Sequence, residues 1–579
     1  MEEQFLVEVD ALGAVVSIES GDIARVPSAL MAVGGKIVDS GAFGAKFIWH
    51  PDGRTGRCIV QVTRANPFVD RGATAYVQGE WVDNLPFGLT DRELDVLTLL
   101  VLGISSAHIA QKLFLATRTV TTHIDRVMRK LGAQSRTAAA TIAMDEGLVR
   151  VPFPHLLDDS TELLRIGRIL SDTQAPPAAS TRVTRKPLVI GAAIPVTGSN
   201  AADGAEMVRA SQLAIDEVNA RGGVDGRRVA LDVVDVDIME PESVSRSVSA
   251  LIERGVDVLT SGYLAHQERA HELVADSGIT YLHAATLDVM ARRVSEDPDR
   301  YGNIFQVCAN DSNYAPRFVE MMSQLRDRRQ WAPASRQLVV LQSGWTTTDL
   351  GLAAAASDAE RDGWELVTIR LPDGDASRWA QIVQQVTAME PAAVMIGNYL
   401  VDDTLAFLES FLSSPSRTLV YALYSPSVPE FRERIGARGD GILWATVTGT
   451  YSDPRARAFA KRYRARFGVN PGRSHAGIAY DRVHLITQAW AFAENPRDPR
   501  RVSQTLRDTV YRGVNGVYYF GDASQTTLTF PGRTADPSLG QAHLVFQIQQ
   551  GKQRIIDPAP YADAAFTLPP WMTPVVERR

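Results

Sequence analysis

Within the twenty-five residues from Lys112 to Arg136 stand six cations, Lys112, Arg118, Arg126, Arg129, Lys130 and Arg136, against one acid, Asp125. Thr119, Thr121, Thr122 and His123 lie among them. Cations at this density neutralise phosphates, and hydroxyl and guanidinium groups on one helix face can hydrogen-bond base edges in a major groove. The whole chain carries a formal net charge of −7, so a nonspecific polyanion binder is excluded and any DNA affinity must be local. On charge alone the same residues also suit an ordinary solvated helix face. No set of comparable density supports catalysis: paired carboxylates, a Ser–His–Asp arrangement, a phosphate loop and metal-ligand spacing are all missing, and the ten histidines are scattered. A non-enzyme without cofactor or metal is the expectation.

The elements that must hold these residues are short amphipathic helices. Apolar residues recur at helical spacing in four runs: Leu94, Val96, Leu97 and Leu100; Ile109, Ala110 and Leu113; Val120, Ile124, Val127, Met128 and Leu131; Ala138, Ile142 and Ala143. Thr90 stands three residues before Glu93, the spacing of a capping box at the first helix. Gly103 closes that helix, and Ser105 or Ser106 caps the next. On the third helix the apolar stripe leaves Arg118, Thr121, Thr122, Asp125, Arg126 and Arg129 on the opposite face.

The order Leu89, Thr90, Arg92, Glu93, Val96, Leu97, Gly103, Ile109, Ala110, Leu113, Thr119, Val120, His123, Lys130, Leu131, Gly132 and Arg136 resembles the LuxR-type helix-turn-helix over about sixty residues. The resemblance implies a four-helix DNA reader at 85–150, with Arg118, Thr119, Thr121, Thr122, His123, Arg126, Arg129 and Lys130 as its DNA-binding set and promoter DNA as its partner. His123 also suits a helix-packing role. The family usually places a lysine where this chain has Thr121, and Asp125 adds a repulsive charge, which shifts the burden to Arg118, Arg126, Arg129 and dimerisation.

At 579 residues and 45% hydrophobic composition, the chain is long enough for three or four folded domains. Two cysteines, Cys58 and Cys308, imply neither a disulfide framework nor a cysteine metal site. The acidic start MEEQFLVEVD lacks the layout of an export signal, and no run approaches the roughly twenty apolar residues of a membrane span, so the cytoplasm is the expected location. Residues 1–84 alternate apolar patches with Gly, Asp and Pro, as in a small α/β or mainly β module whose position would suit a PAS-like or GAF-like sensory fragment. Residues 151–186 read as a helix from Pro152 to Leu170 followed by the linker DTQAPPAASTRVTRK.

After Pro187 apolar strands alternate with amphipathic helices. Strands are expected at Leu188–Ile194, Val229–Val234, Val256–Leu259, Gln337–Leu341, Ala393–Ile396 and Thr418–Leu423. Helices are expected at Gly204–Arg221, Pro241–Arg254, Tyr314–Arg326, Ala376–Met389 and Pro454–Phe467. Such alternation over some 370 residues predicts doubly wound parallel sheets in two lobes. Gly191, Pro195, Thr197, Gly198, Gly204, Ala214, Glu217, Asn219, Gly222, Gly223, Gly226 and Asp235, with AYDRVHLITQAW and PYADAAFTLPPWM near the end, resemble the type I periplasmic binding proteins for branched-chain amino acids and amides, over 187–572. The fold class expected is therefore α/β: a two-lobed type I periplasmic-binding-protein fold preceded by the four-helix LuxR-type domain and the small N-terminal module.

The resemblance implies a ligand held between lobes that close on it. The positions that carry over are Ala265, His266 and Gln267, Thr286, Asp311, Trp345 and Thr346, Asn398 and Tyr399, and Tyr424 and Ser425. His266 fits a ligand donor or a plain helix N-terminal residue, Asp311 a ligand contact or a helix cap, and the second-lobe positions ligand contacts or packed loop residues. Tyr421–Val428 contains none of the acid that the amino-acid binders commonly use there, which favours a neutral amide-like or urea-like ligand unless Asp311, Asp402 or Asp403 supplies the charge. The functional expectation is a cytoplasmic one-component transcriptional regulator, forming a homodimer, that couples closure on a small polar metabolite (amide, urea or amino acid-like) to promoter binding. A ligand receptor acting through a protein partner ranks second, and a substrate-binding component of an ABC transporter third.

Overall fold

A computed structural model describes residues 4–572 except 11, 23, 25, 40–43, 51–55, 65–73, 103, 105, 134–135, 152–185, 199, 221–222, 225, 343–347, 372–378, 494, 509, 536, 538–539 and 560. The helix and linker expected at 152–186 therefore lie almost wholly outside the described residues, as do Gly103, Ser105, Trp345 and Thr346. The chain divides into two compact units. One is Met1–Leu188 with the short segments Asp216–Val229 and Asp508–Val510, and the other holds the remaining residues.

The first unit opens with β1 (Gln4–Asp10), β2 (Val15–Ser20), α1 (Ser28–Asp39), β3 (Gly44–Trp49), β4 (Arg57–Arg64) and β5 (Thr74–Val82). Alternation decides the buried face: Phe5, Val7 and Val9 on β1 and Ala75 and Val77 on β5 are buried, while their neighbours are more exposed. Gly79 is opposite Phe5 in the β1–β5 register, and a Cβ there would come within 2.2 Å of the Phe5 ring, so glycine lets the ring cross the strand. Helices α2 (Asp91–Val101), α3 (Ser106–Lys112), α4 (Thr117–Leu131) and α5 (Arg136–Glu146) follow, and then β6 (Arg150–Val151). The strand order is β2-β1-β5-β4-β3-β6, with β6 parallel to β3 and the other β3, β4, β5, β1 and β2 pairings antiparallel.

The sheet and the helices share one core. Val7, Val60 and Val77 belong to the same buried cluster as Val96 and Leu99 of α2, Ile109 of α3, and Val120 and Ile124 of α4. The junction expected at residue 84 is thus a change of sequence pattern without a break in packing. Polar groups stitch the same seam. Arg57 donates two hydrogen bonds to Asp91, at 3.0 and 2.9 Å, and His50 Nε2 lies 3.2 Å from the same carboxylate. Arg150 reaches Asp95 at 2.7 Å and donates to the His50 carbonyl at 3.1 Å, while its backbone amide donates to Thr98 Oγ1 at 2.9 Å.

The second unit holds two sheets of the kind expected. The first lobe contains β7 (Leu188–Ile194), β8 (Val229–Asp235), β9 (Val258–Ser261), β10 (Tyr281–His283) and β11 (Ile304–Gln306) in the order β11-β10-β9-β7-β8. The second contains β12 (Gln337–Gln342), β13 (Glu365–Arg370), β14 (Ala393–Gly397), β15 (Leu419–Leu423) and β16 (Leu443–Thr446) in the order β13-β12-β14-β15-β16. Two antiparallel strands, Leu544–Gln549 and Lys552–Asp557, extend that sheet from β16. Central strands such as β14 and β15 are buried throughout, as expected of strands covered by helices on both faces.

Removing one partner of a buried ion pair strands the other, at a cost of about 3 kcal/mol or more. Asp95→Ala should therefore destabilise the seam between α2 and β6 by about 3 kcal/mol, read as lost hydrogen-exchange protection along both elements. Unchanged protection would show that the Arg150–Asp95 pair does not hold the seam.

Candidate functional site

Helix α4 forms because its apolar residues fall on one stripe: Val120, Ile124, Val127 and Leu131 are buried, and Gly132 ends the helix at φ 64°, a conformation glycine adopts freely. The opposite face presents Arg118, Thr119, Thr121, Thr122, Asp125, Arg126 and Arg129 to solvent. Thr121 and Thr122 donate their hydroxyl protons to the Thr117 and Arg118 carbonyls, at 3.2 and 3.0 Å, so each keeps an oxygen free to accept. His123 is half-buried, and its Nδ1 meets no hydrogen-bond partner among the described residues. Lys130 is exposed too, but its ammonium is engaged within the domain. Its ammonium lies 2.7 Å from Glu93 and 2.7 Å from the Gly88 carbonyl, tying α4 to the start of α2.

The capping box expected at α2 forms: Glu93 N donates to Thr90 Oγ1 at 3.3 Å, and Thr90 N donates to Glu93 Oε2 at 2.8 Å. Burial opposes the Glu93 charge, yet Lys130 and Thr90 hold its carboxyl below the usual range. Arg92 donates to the Leu113 carbonyl at 2.6 Å, fixing the end of α3.

In the second unit the polar centre lies where the first lobe meets the second. After β7 the chain turns through Val196 and Thr197 into the helix Ala201–Ala220. Asp235 fixes this turn by accepting hydrogen bonds from the Val196 and Thr197 amides, at 2.8 and 3.2 Å, and from the Thr197 hydroxyl. Gly204 lets the helix press onto the turn, since a Cβ there would sit 1.7 Å from the Pro195 carbonyl oxygen. The helix's first turn thereby sets Asp203 against residues from distant loops. Tyr263, after β9, donates to Asp203 Oδ2 at 2.6 Å, and Tyr424, after β15, donates to the same oxygen at 3.1 Å. His475 Nε2, at the start of the helix His475–Phe492, lies 3.4 Å from it. The Tyr263 and His475 rings stack with centroids 5.2 Å apart, and Tyr424 meets His475 at 5.1 Å. Tyr424 holds φ at 44°, a left-handed conformation that costs a non-glycine residue energy and recurs at functional sites.

Burial works against the Asp203 charge, but His475 and the two tyrosine hydroxyls outweigh it and hold the carboxyl below its usual range. One turn on, Glu206 accepts from the Gly472 amide at 2.6 Å, and burial pushes its carboxyl up to about 7. Residue-type reasoning missed Asp203, Glu206, Tyr263 and His475. The signal available was an acid in the first turn of the helix after the opening strand.

The positions expected from sequence fare differently. Tyr424 is in the centre, and Tyr399 adjoins it at 6.3 Å between rings, its hydroxyl turned to Thr286. Polar atoms of several others are spent within the fold. The Ala265 amide donates to the Ile238 carbonyl at 3.1 Å, His266 Nε2 lies 3.1 Å from the Met239 carbonyl, and Gln267 is fully buried with its Nε2 donating to the Tyr281 hydroxyl. Asn398 binds Asp403 and the Leu400 amide, both at 2.8 Å, and the buried Ser425 hydroxyl lies 2.9 Å from that of Thr404. Asp311 accepts from the Asp288 amide at 3.1 Å and the Asp349 amide at 3.3 Å, while its own amide donates to the Thr286 carbonyl. It therefore caps the helix Asp288–Glu296, and not the helix that follows it in sequence.

A two-lobed α/β unit with a polar centre between its lobes defines a ligand-binding protein of the periplasmic type, and this chain belongs to that family: residues 187–533 match the family described as "Periplasmic binding protein". The chain also carries a DNA-binding domain of the LuxR type, since residues 88–143 match "Bacterial regulatory proteins, luxR family". A protein of Silicibacter pomeroyi assigned as a branched-chain amino acid ABC transporter superposes with a TM-score of 0.62 at 31% identity, covering 67% of this chain and all of that one. The Leu/Ile/Val-binding protein homolog 8 of Brucella abortus is 23% identical over 341 residues, 56% of this chain and 82% of that protein. An uncharacterized transcriptional regulatory protein of Bacillus subtilis, YxjL, is 43% identical over 61 residues, 10% of this chain and 28% of that regulator. Among the described residues no helix is long and apolar enough to cross a membrane.

Burial pushes the Asp311 carboxyl from 3.8 to about 8. Between these values the folded chain holds a proton that the unfolded chain releases, so this group makes stability fall as pH rises through that window. Asp311→Asn removes the contribution and should gain on the parent chain between pH 5 and pH 8 in denaturant titrations. A stability difference that stays constant across that range would contradict the protonated carboxyl.

Proposed function

We propose that the protein is a one-component transcriptional regulator that works in the cytoplasm as a homodimer. Its two-lobed unit closes on a small polar metabolite, and closure changes how the LuxR-type helices pair or dock on promoter DNA. The observation that carries this reading is the presence, in one chain, of a LuxR-type domain with a solvent-facing cationic helix and a binding fold whose two lobes meet at a polar centre. Arg118, Thr119, Thr121, Thr122, Arg126 and Arg129 form the DNA-facing set, Arg126 and Arg129 acting on phosphates or guanines. His123 supports the helix from its half-buried position, and Lys130 holds α4 in place.

A second reading has a specific observation behind it. Asp125 faces solvent among the cations, and Lys130 is committed to Glu93, which weakens the phosphate grip and suits a receptor that signals chiefly through a protein partner. A role in transport ranks below both, because such a component has no use for a LuxR-type domain. Binding of the full chain to its own upstream DNA separates the readings. Arg126→Ala and Arg129→Ala should each weaken binding about tenfold and lower the slope of log affinity against log salt by about 1. Affinity and slope that both variants leave intact would favour the partner-protein reading.

A further inference from the structure

Asp203 stands outside the ligand set expected from sequence, yet it is the point on which both lobes converge. Its contacts with Tyr263, Tyr424 and His475 all fall on Oδ2, and among the described residues Oδ1 accepts no hydrogen bond. Among the described residues no lysine or arginine pairs with Asp203; Arg209 turns to Tyr463 while its charge favours the Glu206 carboxylate, and Arg473 stacks on Phe546 at 5.1 Å. The surroundings are aromatic: Tyr263, His475, Tyr424 and Tyr399 form a continuous series of ring contacts at 5.2, 5.1 and 6.3 Å.

We propose that the cleft takes a small organic ammonium ion, held by Asp203 and walled by Tyr263, Tyr424 and His475, in place of a neutral amide or a zwitterionic amino acid. This deepens, and rests on, the reading of the cleft as a small-molecule site. A carboxylate supplies the counter-charge that a desolvated ammonium requires, and tyrosine ring faces attract a cation further. Asp203 stands in the first turn of the helix Ala201–Ala220, where the helix dipole favours a negative charge. Among the described residues, several donors that could meet a ligand carboxylate are already engaged. The Ala265 amide, the Gln267 amide nitrogen, Asn398 and the Ser425 hydroxyl are engaged within the protein, and burying an anion beside Asp203 and Glu206 would add repulsion.

Four probes on one branched skeleton isolate the charge: isoamylamine, isovaleramide, isovalerate and leucine, each titrated into the full chain at pH 7.5 while its melting temperature is recorded. Isoamylamine should raise the melting temperature, with the other three giving smaller shifts or none. Asp203→Asn should weaken isoamylamine binding at least about tenfold. Tyr263→Phe, which keeps the charge and the ring, should weaken it less. A larger shift with isovaleramide, isovalerate or leucine than with the amine overturns the ammonium assignment while leaving the cleft a small-molecule site. Silence from all four overturns the assignment and removes this support for the cleft reading as well. Undiminished amine binding by an Asp203→Asn chain that melts cooperatively overturns the role of Asp203.

Discussion

Two lobes on separate sheets are held together by whatever crosses between them, and in this chain the Asp203 carboxylate makes such a crossing. The acid comes from the first helix of one lobe, and Tyr424, which completes its surroundings, from a loop 221 residues later on the other. Much of the local architecture serves that meeting. Asp235 pins the turn before the helix, Gly204 allows the helix to close on the turn, and the left-handed φ of Tyr424 directs its side chain from the end of β15. A buried carboxylate left without these hydroxyls would bear the full penalty of desolvation, so partial opening is disfavoured unless water or a ligand replaces the lost partners.

The DNA-reading half is constrained differently. Its helices are not packed apart from the sheet, because α2, α3 and α4 contribute to the same core as β1, β4 and β5. The ion pairs from Arg57 and Arg150 to Asp91 and Asp95 lock α2 to the sheet, and Lys130 locks α4 to α2 through Glu93. The exposed face of α4 is therefore presented from a scaffold larger than the LuxR-type domain alone. A change in the sheet has a packed path to that face, which is the kind of connection an input on this unit would need.

What could be read in the sequence was local. Caps and helical stripes depend on residues three or four apart, so the Thr90–Glu93 box, the buried face of α4 and the opposite cationic face were all legible before any fold was known. The long apolar strands β7, β12, β14 and β15 were legible for the same reason. Three-residue strands such as Tyr281–His283 and Ile304–Gln306 carry too few residues for a period, and the half-exposed edge strand Glu365–Arg370 has no continuous apolar run. The parallel pairing of Arg150–Val151 with β3, across about 100 residues, leaves no local trace. In the binding unit, the family resemblance pointed to loops whose polar atoms are largely engaged within the fold. Asn398 and Ser425 spend their polar groups on the loops themselves, while Asp203 reads in sequence as an ordinary first-turn acid. The expectation of a neutral ligand considered the loop Tyr421–Val428 with Asp311, Asp402 and Asp403, whereas the carboxylate that meets Tyr424 is Asp203, from the first helix of the other lobe.

The proposed regulator links ligand occupancy and DNA affinity in one molecule. The most direct test is the affinity of the full chain for a labelled duplex from its own promoter region, measured by fluorescence anisotropy with and without a saturating compound already shown to stabilise the binding unit. Linkage predicts that the two dissociation constants differ by a factor of about 5 or more, and that DNA shifts the affinity for the compound by the same factor. Identical dissociation constants at every ligand concentration would contradict it.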